Sequence, residues 1–444
     1  MVWGLFVITQ MTSSPIPALP GLAPVIHTSA TAVETWRQIL ACSATLTPVM
    51  PHALAHAVEL LTAALAVAGI GYFLAAMVAA RVFMRSRRAP LAPFAPGVSV
   101  LKSLKGLDPA MIDAFRTHCR QSYAGEFELL FGVASLDDPA VNAVEQLKSE
   151  FPAFPIRLVE CPERLGTNGK VSTLVQLSAQ ARYAFLLIND SDISVSPHYL
   201  ERVMACFAPA QMTAAKPEQP VGLVTALYRG RAHGTLPSRL EALGIATDFQ
   251  AGVLLSKMIE GGLHYGLGST LAVRREALEK AGGLEALVDH LADDYELGAR
   301  VDKAGYRVAL SAEVVETGVP AYDWQGFIDH QLRWARTVRD ARPGGYIGLI
   351  FTHGLGWALV NILASGLSPV SLWLLGLSFF LRLAQAMTVG AEVLADHQVL
   401  PNLWLLPLRD VVAMGVWVAG FAGNMITWRD EQFVLKGGKL HREP

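Results

Sequence analysis

The chain has 444 residues, of which 52% are hydrophobic and 17% charged, and its formal net charge is -2. That length suits one large domain plus membrane segments, and the composition is apolar for a soluble protein. With no basic excess to neutralise phosphates, a nucleic-acid partner is excluded. Four cysteines, Cys42, Cys119, Cys161 and Cys206, show no Cys-x-x-Cys spacing, which argues for free thiols in a reducing compartment over a zinc knuckle or disulfide framework.

Residues 1–53 carry only Glu34 and Arg37 among acidic and basic side chains and lack the basic start of a signal peptide. They are read as an extension without assigned function, with Met11 and Met50 as further candidate starts. Residues 54–88 form the first membrane element. Leu60–Ala80 is uncharged and, as a helix, spans about 30 Å, one hydrocarbon core. Arg81, Arg85, Arg87 and Arg88 follow, so the positive-inside rule places that end in the cytoplasm.

Residues 89–325 read as a cytoplasmic catalytic domain. Strand-like runs at Val98–Leu104, Phe127–Ala134, Ile156–Val159, Ala184–Ile188 and Val221–Leu227 alternate with helical stretches such as Ala140–Ser149 and Lys170–Ala181. That order predicts βαβ units in a mostly parallel sheet covered on both faces. Ligands of such sheets bind beyond the carboxyl ends of the strands, and the acidic clusters fall there.

Asp137-Asp138-Pro139 follows the second strand. One carboxylate is suited to a uracil or ribose hydrogen bond, and the same triplet suits a helix start. Lys170 follows the turn Leu165-Gly166-Thr167-Asn168-Gly169, whose amides and ammonium suit an anion. Val171 after Lys170 breaks the phosphate-loop pattern of nucleoside triphosphatases. Asp190-Ser191-Asp192 at a strand end offers two carboxylates to Mg²⁺ or Mn²⁺ shared with a substrate diphosphate, or a helix cap. Asp293-Asp294 opens a helical stretch. Asp294 is the candidate base for an acceptor hydroxyl, with Asp293 orienting it or raising its pKa; complementing the helix dipole is the bland alternative.

Residues 326–345 are predicted as an amphipathic helix at the membrane surface, with Phe327, Ile328, Leu332, Trp334 and Val338 opposing Arg333, Arg336, Arg339 and Arg342. Arg333 also suits the diphosphate, and Trp334 the wall of an acceptor site. Residues 346–428 hold three apolar stretches, Tyr346–Ala364, Pro369–Leu394 and Leu403–Trp428. The tail 429–444 is basic and predicted to face inward. Parity then allows only two of the three to cross, and Tyr346–Ala364, with His353, Gly354 and Gly356, is expected to lie in the interface or re-enter. Arg382, Arg409 and Asp410 fall inside the other two. Each costs about 2.5–3.5 kcal/mol at a helix centre, so they are expected to pair. Together these features read as an enzyme moving a sugar from a nucleotide donor onto a lipid.

The ordered set Lys102-Ser103-Leu104-Lys105-Gly106, Asp137-Asp138-Pro139-Ala140, Asn168-Gly169-Lys170-Val171, Asp190-Ser191-Asp192, Ala292-Asp293-Asp294-Tyr295 and Arg333-Trp334 resembles ceramide glucosyltransferase-like enzymes over roughly residues 60–440. Within them the run His330-Gln331-Leu332-Arg333-Trp334-Ala335-Arg336 most resembles the bacterial hopanoid-biosynthesis glycosyltransferases. The resemblance implies an α/β GT-A fold (a Rossmann-like mixed sheet), a UDP-sugar donor, Mg²⁺ or Mn²⁺, and inversion at the sugar carbon. The hopanoid branch implies N-acetylglucosamine transfer to bacteriohopanetetrol at the bacterial inner membrane.

Three positions depart from the pattern. His330 stands where Gln or Arg is usual, so its charge becomes pH-dependent. Ser135 stands where an acid is common, leaving the first family aspartate open between Asp137 and Asp138. Thr225 replaces a His of the animal glucosylceramide enzymes. The competing readings are a processive polysaccharide synthase, against which the apolar stretches are few, and a non-catalytic lipid-binding protein.

Overall fold

The computed structural model describes residues 52–88, 92–108, 110–209, 219–428 and 431–442. The expected extension 1–53, apart from its last two residues, lies outside them, as does Cys42. Cys119, Cys161 and Cys206 are free.

Seven strands, β1 Val98–Ser103, β2 Phe127–Val133, β3 Ile156–Glu160, β4 Phe185–Ile188, β5 Val221–Ala232, β6 Leu271–Arg274 and β7 Arg307–Val319, form one sheet in the order β3-β2-β1-β4-β6-β5-β7. The first four in that order run parallel, as the βαβ pattern predicts. β6 enters antiparallel to β4 and β5, and β5 pairs parallel with β7, so the sheet is mixed. Alternate residues of β1 face opposite cores. Val98 and Val100 pack with Phe115, Phe131 and Leu187 on one side, and Leu101 packs with Leu130, Leu174 and Leu186 on the other. Burial on both faces explains the near-continuous apolar runs.

Among the described residues, three helices are long and apolar enough to cross a membrane: His52–Ser86, Pro369–Val393 and Val399–Ala419. Pro343–Phe351 and Gly354–Ser365 meet at a bend of 55°, as a broken span or re-entrant loop does. Gly354–Ser365 packs tightly on the first helix. A Cβ on Gly69 would lie 2.1 Å from Gly354 Cα, so only glycine fits there. Asn361 Nδ2 donates to Glu59 O at 2.8 Å and Thr62 Oγ1 at 3.0 Å at the same contact.

The charges inside the apolar stretches are paired. Arg382 donates to both carboxylate oxygens of Asp410, at 2.9 Å from each by its closer nitrogens, and to Asp248. Arg409 lies 3.4 Å from Asp248. Asp248 belongs to a π-helical turn, Ile245–Phe249, between the helices Leu236–Gly244 and Gln250–Ile259.

Two expectations need correction. The apolar stretch Leu403–Trp428 is not one span: its helix ends at Ala419, and Met425–Trp428 is a strand, β8. It pairs with β9 Glu431–Lys436, which pairs with β10 Lys439–Arg442, so the basic tail supplies two strands of a three-stranded antiparallel sheet. The amphipathic stretch is the helix Trp324–Ala341, yet its arginines do not all spread over a surface. Arg336 donates to Met425 O at 2.5 Å and Arg339 to Gly420 O at 2.6 Å, satisfying carbonyls past the last apolar helix.

Candidate active site

The Asp190-Ser191-Asp192 turn leaves the carboxyl end of β4, and each residue is gripped from a different element. Lys102, fully buried in β1, donates from Nζ to Asp190 O at 2.9 Å. Ser191 Oγ donates to Asp108 Oδ2 at 3.0 Å. Asp192 Oδ2 accepts from Thr317 Oγ1 at 2.6 Å and Gly318 N at 2.8 Å, both on β7. Burial, and then the nearby Asp190 charge, raise the Asp192 carboxyl above its usual range. Burial lowers the Lys102 ammonium to about 7, against the pull of Asp192 and Asp190.

Lys170 joins this turn to the third acidic cluster. It lies in the first turn of the helix Gly169–Gln180, where Asn168 Oδ1 accepts from Val171 N at 3.1 Å as the cap. Its Nζ lies 2.8 Å from Asp190 Oδ1 and 3.3 Å from Asp293 Oδ2. Burial alone lowers the ammonium, but the charges of Asp190 and Asp293 outweigh it and hold it above its usual range.

Asp293 and Asp294 begin the helix Asp293–Lys303. A Cβ on Gly298 would come within 2.1 Å of Gly266 N, so this helix lies directly on the loop Gly266–Thr270. A Cβ on Gly268 would meet Asp294 Oδ2 at 3.1 Å and Asp190 Oδ2 at 3.6 Å. Two carboxylate oxygens from distant parts of the chain thus face the same small space. Thr225 Oγ1 fixes that loop, accepting from Leu267 N at 3.0 Å. Burial, then Asp293, push the Asp294 carboxyl up to about 6, with Lys170 opposing.

An aromatic wall continues from the acids. Burial, then Asp294 and Asp190, raise the hydroxyl of Tyr228 above its usual range. Its ring centroid lies 5.7 Å from that of Phe249, which lies 6.2 Å from Trp334, which lies 5.1 Å from His330. His330 Nδ1 sits 2.9 Å from Glu241 Oε2 and 3.2 Å from Tyr322 Oη. Tyr322 is raised by burial and then by Glu241, with Arg333 opposing and Asp192 adding to the rise.

Residues 61–441 match the family described as "Glycosyl transferase family 21". The chain belongs to glycosyl transferase family 21. This family 21 protein is similar to "Ceramide glucosyltransferase 3" of Caenorhabditis elegans, 24% identical over 365 residues covering 77% of this chain and 73% of that one. It is 29% identical over 124 residues to "Ceramide glucosyltransferase" of Komagataella phaffii, covering 27% of this chain and 24% of that one. Among solved structures it is similar to the mannosyltransferase PcManGT from Pyrobaculum calidifontis in complex with GDP-Man and Mn2+. The identity there is 19%, the TM-score 0.46, and the coverage 81% of this chain and 97% of that chain. The mixed α/β sheet of the family 21 protein has the GT-A class expected from its motifs.

The structure gathers Asp190, Asp192, Lys170, Asp293 and Asp294, and places Trp334 and His330 along the adjoining wall. It treats the first cluster differently. Asp138 Oδ1 accepts from Gly106 N and Ala140 N, both at 2.9 Å, so this carboxylate ties the β1 loop to a helix start. Asp137 is exposed beside it, its N–H bonded to Ser135 Oγ at 3.2 Å. Sequence reasoning assigned no task to Lys102, Tyr228, Phe249, Glu241 or Gly268. Lys102 was marked only as the first residue of the resemblance's opening motif and as a lone ammonium inside an apolar strand.

Proposed function

We propose that this family 21 protein is a membrane-bound, inverting transferase that moves a sugar from a UDP-sugar onto the hydroxyl of a lipid. The observation that carries the reading is the pair of oxygens, Asp190 Oδ2 and Asp294 Oδ2, facing one space over Gly268. A donor held on the Asp190 side presents its anomeric carbon to an acceptor on the Asp294 side. As the acceptor oxygen attacks, Asp294 takes its proton, and the bond to the diphosphate breaks with its electron pair leaving on UDP. A carboxylate poised near 6 is ionised at neutral pH yet basic enough to serve. Lys170, charged throughout the physiological range, neutralises the departing diphosphate, and Arg333 from the wall side adds to it. Trp334 and Tyr228 wall the acceptor, and His330 is oriented by Glu241.

The site fits a divalent cation. Among the described residues no group of three or more His, Cys, Asp or Glu converges as a closed metal cage. Mg²⁺ and Mn²⁺ sharing a substrate diphosphate need only one or two protein carboxylates, and Asp190 and Asp192 supply those. When bound, the cation neutralises charge on the leaving diphosphate. The cytoplasmic face of a bacterial inner membrane is the proposed location, supported by the arginine run that closes the first apolar helix.

For the transferred group and acceptor we favour N-acetylglucosamine and a hopanoid such as bacteriohopanetetrol. The run His330–Arg336 and the Thr225 position support this choice. The named relatives support the alternative, glucose to ceramide. Membranes containing the chain are to be incubated with labelled UDP-N-acetylglucosamine or UDP-glucose and each lipid, and the products weighed by mass spectrometry. A single glycolipid is expected. Polymer indicates a synthase, and absence of transfer with retained lipid binding indicates a non-catalytic protein.

A further inference from the structure

The C-terminal strands reach back to the loop that precedes Asp293-Asp294. Gly437 and Gly438, with φ of +59° and +77°, form the two-residue turn joining β9 to β10, a left-handed pair that glycine adopts without penalty. The apolar face of this small sheet, Ile426, Phe433, Leu435 and Leu440, is buried together with Leu291. Leu291 N donates to Gly438 O at 3.2 Å, and Leu440 N donates to Asp289 O at 2.8 Å. The segment Asp289–Leu291 is thereby added to the edge of β10. Its other side is pinned too: Asp289 Oδ1 accepts from Thr167 N at 2.9 Å, and Asn168 Nδ2 donates to His290 O at 2.8 Å.

The same sheet holds the helix that carries Arg333-Trp334. Asp340 accepts from Gly438 N, and Arg336 donates to Met425 O at 2.5 Å. One small sheet thus touches both a loop that ends two residues before Asp293, through its apolar face, and the helix bearing Trp334, through hydrogen bonds. In sequence β7 lies between those elements.

We propose that the C-terminal sheet is a clasp that sets the Asp293-Asp294 turn against the Arg333-Trp334 helix, with Leu440 and Asp340 as positioning residues for transfer. The inference rests on the reading of Asp294 as the base. Leu440 touches no reacting atom. It acts by fixing Leu291, and a base displaced by about 1 Å loses on the order of 10²-fold in rate.

The test uses the full chain in its membranes, with UDP-sugar turnover resolved into kcat and KM. Leu440→Asp is expected to lower kcat about 10²-fold with donor KM changed far less, because Asp190 and Asp192 keep their contacts to β1 and β7. Leu440→Met restores kcat. Asp340→Ala, a milder change that leaves the apolar cluster intact, is expected to lower kcat several-fold at unchanged thermal midpoint. Wild-type kcat per nucleotide-binding site in Leu440→Asp and Asp340→Ala overturns the clasp, as does a loss that follows only the amount of folded protein. Asp294→Asn is run alongside. If it is inactive while both clasp variants turn over normally, only the clasp fails; if it is active, the reading of the base fails.

Discussion

Replacing Asp294 by Asn separates a catalytic carboxylate from a structural one, because the two predict opposite changes in stability. Asn keeps Oδ1 as acceptor for Tyr295 N, bonded at 2.8 Å, so the first helical turn loses nothing. What disappears is a carboxylate that burial and Asp293 have moved from 3.8 to about 6. For an acid raised on folding, the folded state prefers the proton. The charged form therefore costs stability above pH 6, and the cost is relieved as pH falls toward 4. At about 1.4 kcal/mol per unit the cost reaches about 3 kcal/mol at neutral pH. Asp294→Asn is expected to raise stability by up to that amount at pH 7.5, with the gain vanishing near pH 4. Turnover should fall about 10²–10⁴-fold, the contribution of a positioned general base. In the wild type, kcat/KM should drop tenfold per unit as pH descends below about 6. The assay pairs thermal unfolding in detergent at several pH values with labelled-sugar transfer. A variant that is less stable at pH 7.5, or that retains turnover within tenfold, refutes the assignment.

Asp190→Ala and Asp192→Ala should each abolish metal-dependent donor binding, since each removes one of the two carboxylates proposed to hold the cation; Asp192→Ala also loses the β7 contacts to Thr317 and Gly318. Calorimetry with UDP-sugar and Mg²⁺ checks this, and unchanged affinity in either variant defeats the metal assignment. Asp410→Ala strands the fully buried Arg382 guanidinium with a single remaining acid, Asp248, and should cost about 3–5 kcal/mol of stability. The double change Arg382→Leu with Asp410→Leu should recover most of it, read as the unfolding midpoint in detergent. Gly69→Val forces side-chain atoms into the Gly354 backbone and should cost about 1–3 kcal/mol, whereas Gly71→Val on the next open position should cost little.

Much of this site was legible because a buried parallel sheet writes a simple pattern. An apolar run ends, a carboxylate follows, and the carboxylate stands at the ligand edge. Asp190 after β4 was found that way, whereas the Asp293-Asp294 pair was read as the start of a helix. β6 was not found, because Leu271–Arg274 is too short to show a period and joins the sheet only through its neighbours. The tail misled for a different reason. A hydropathy window running through Trp428 averages over Gly420 and Gly423, where the helix stops. Counting positive charges then hid the alternation of Phe433, Leu435 and Leu440 around Gly437-Gly438. That paired glycine between alternating residues is a hairpin signal, and a pattern reading would have seen it.

The remaining elements were invisible because their meaning lies in pairing. Nothing in the local sequence says that Asp248 meets Arg382, or that Phe249 meets Trp334. One π-helical turn sets these adjacent residues to different tasks: Asp248 closes the charge network among the apolar helices, and Phe249 lines the aromatic wall. A regular α-helix through Ile245–Phe249 would rotate one of them away from its partner, and turns of this kind recur where function requires that offset. The membrane part and the acceptor wall are therefore joined through a single peptide bond.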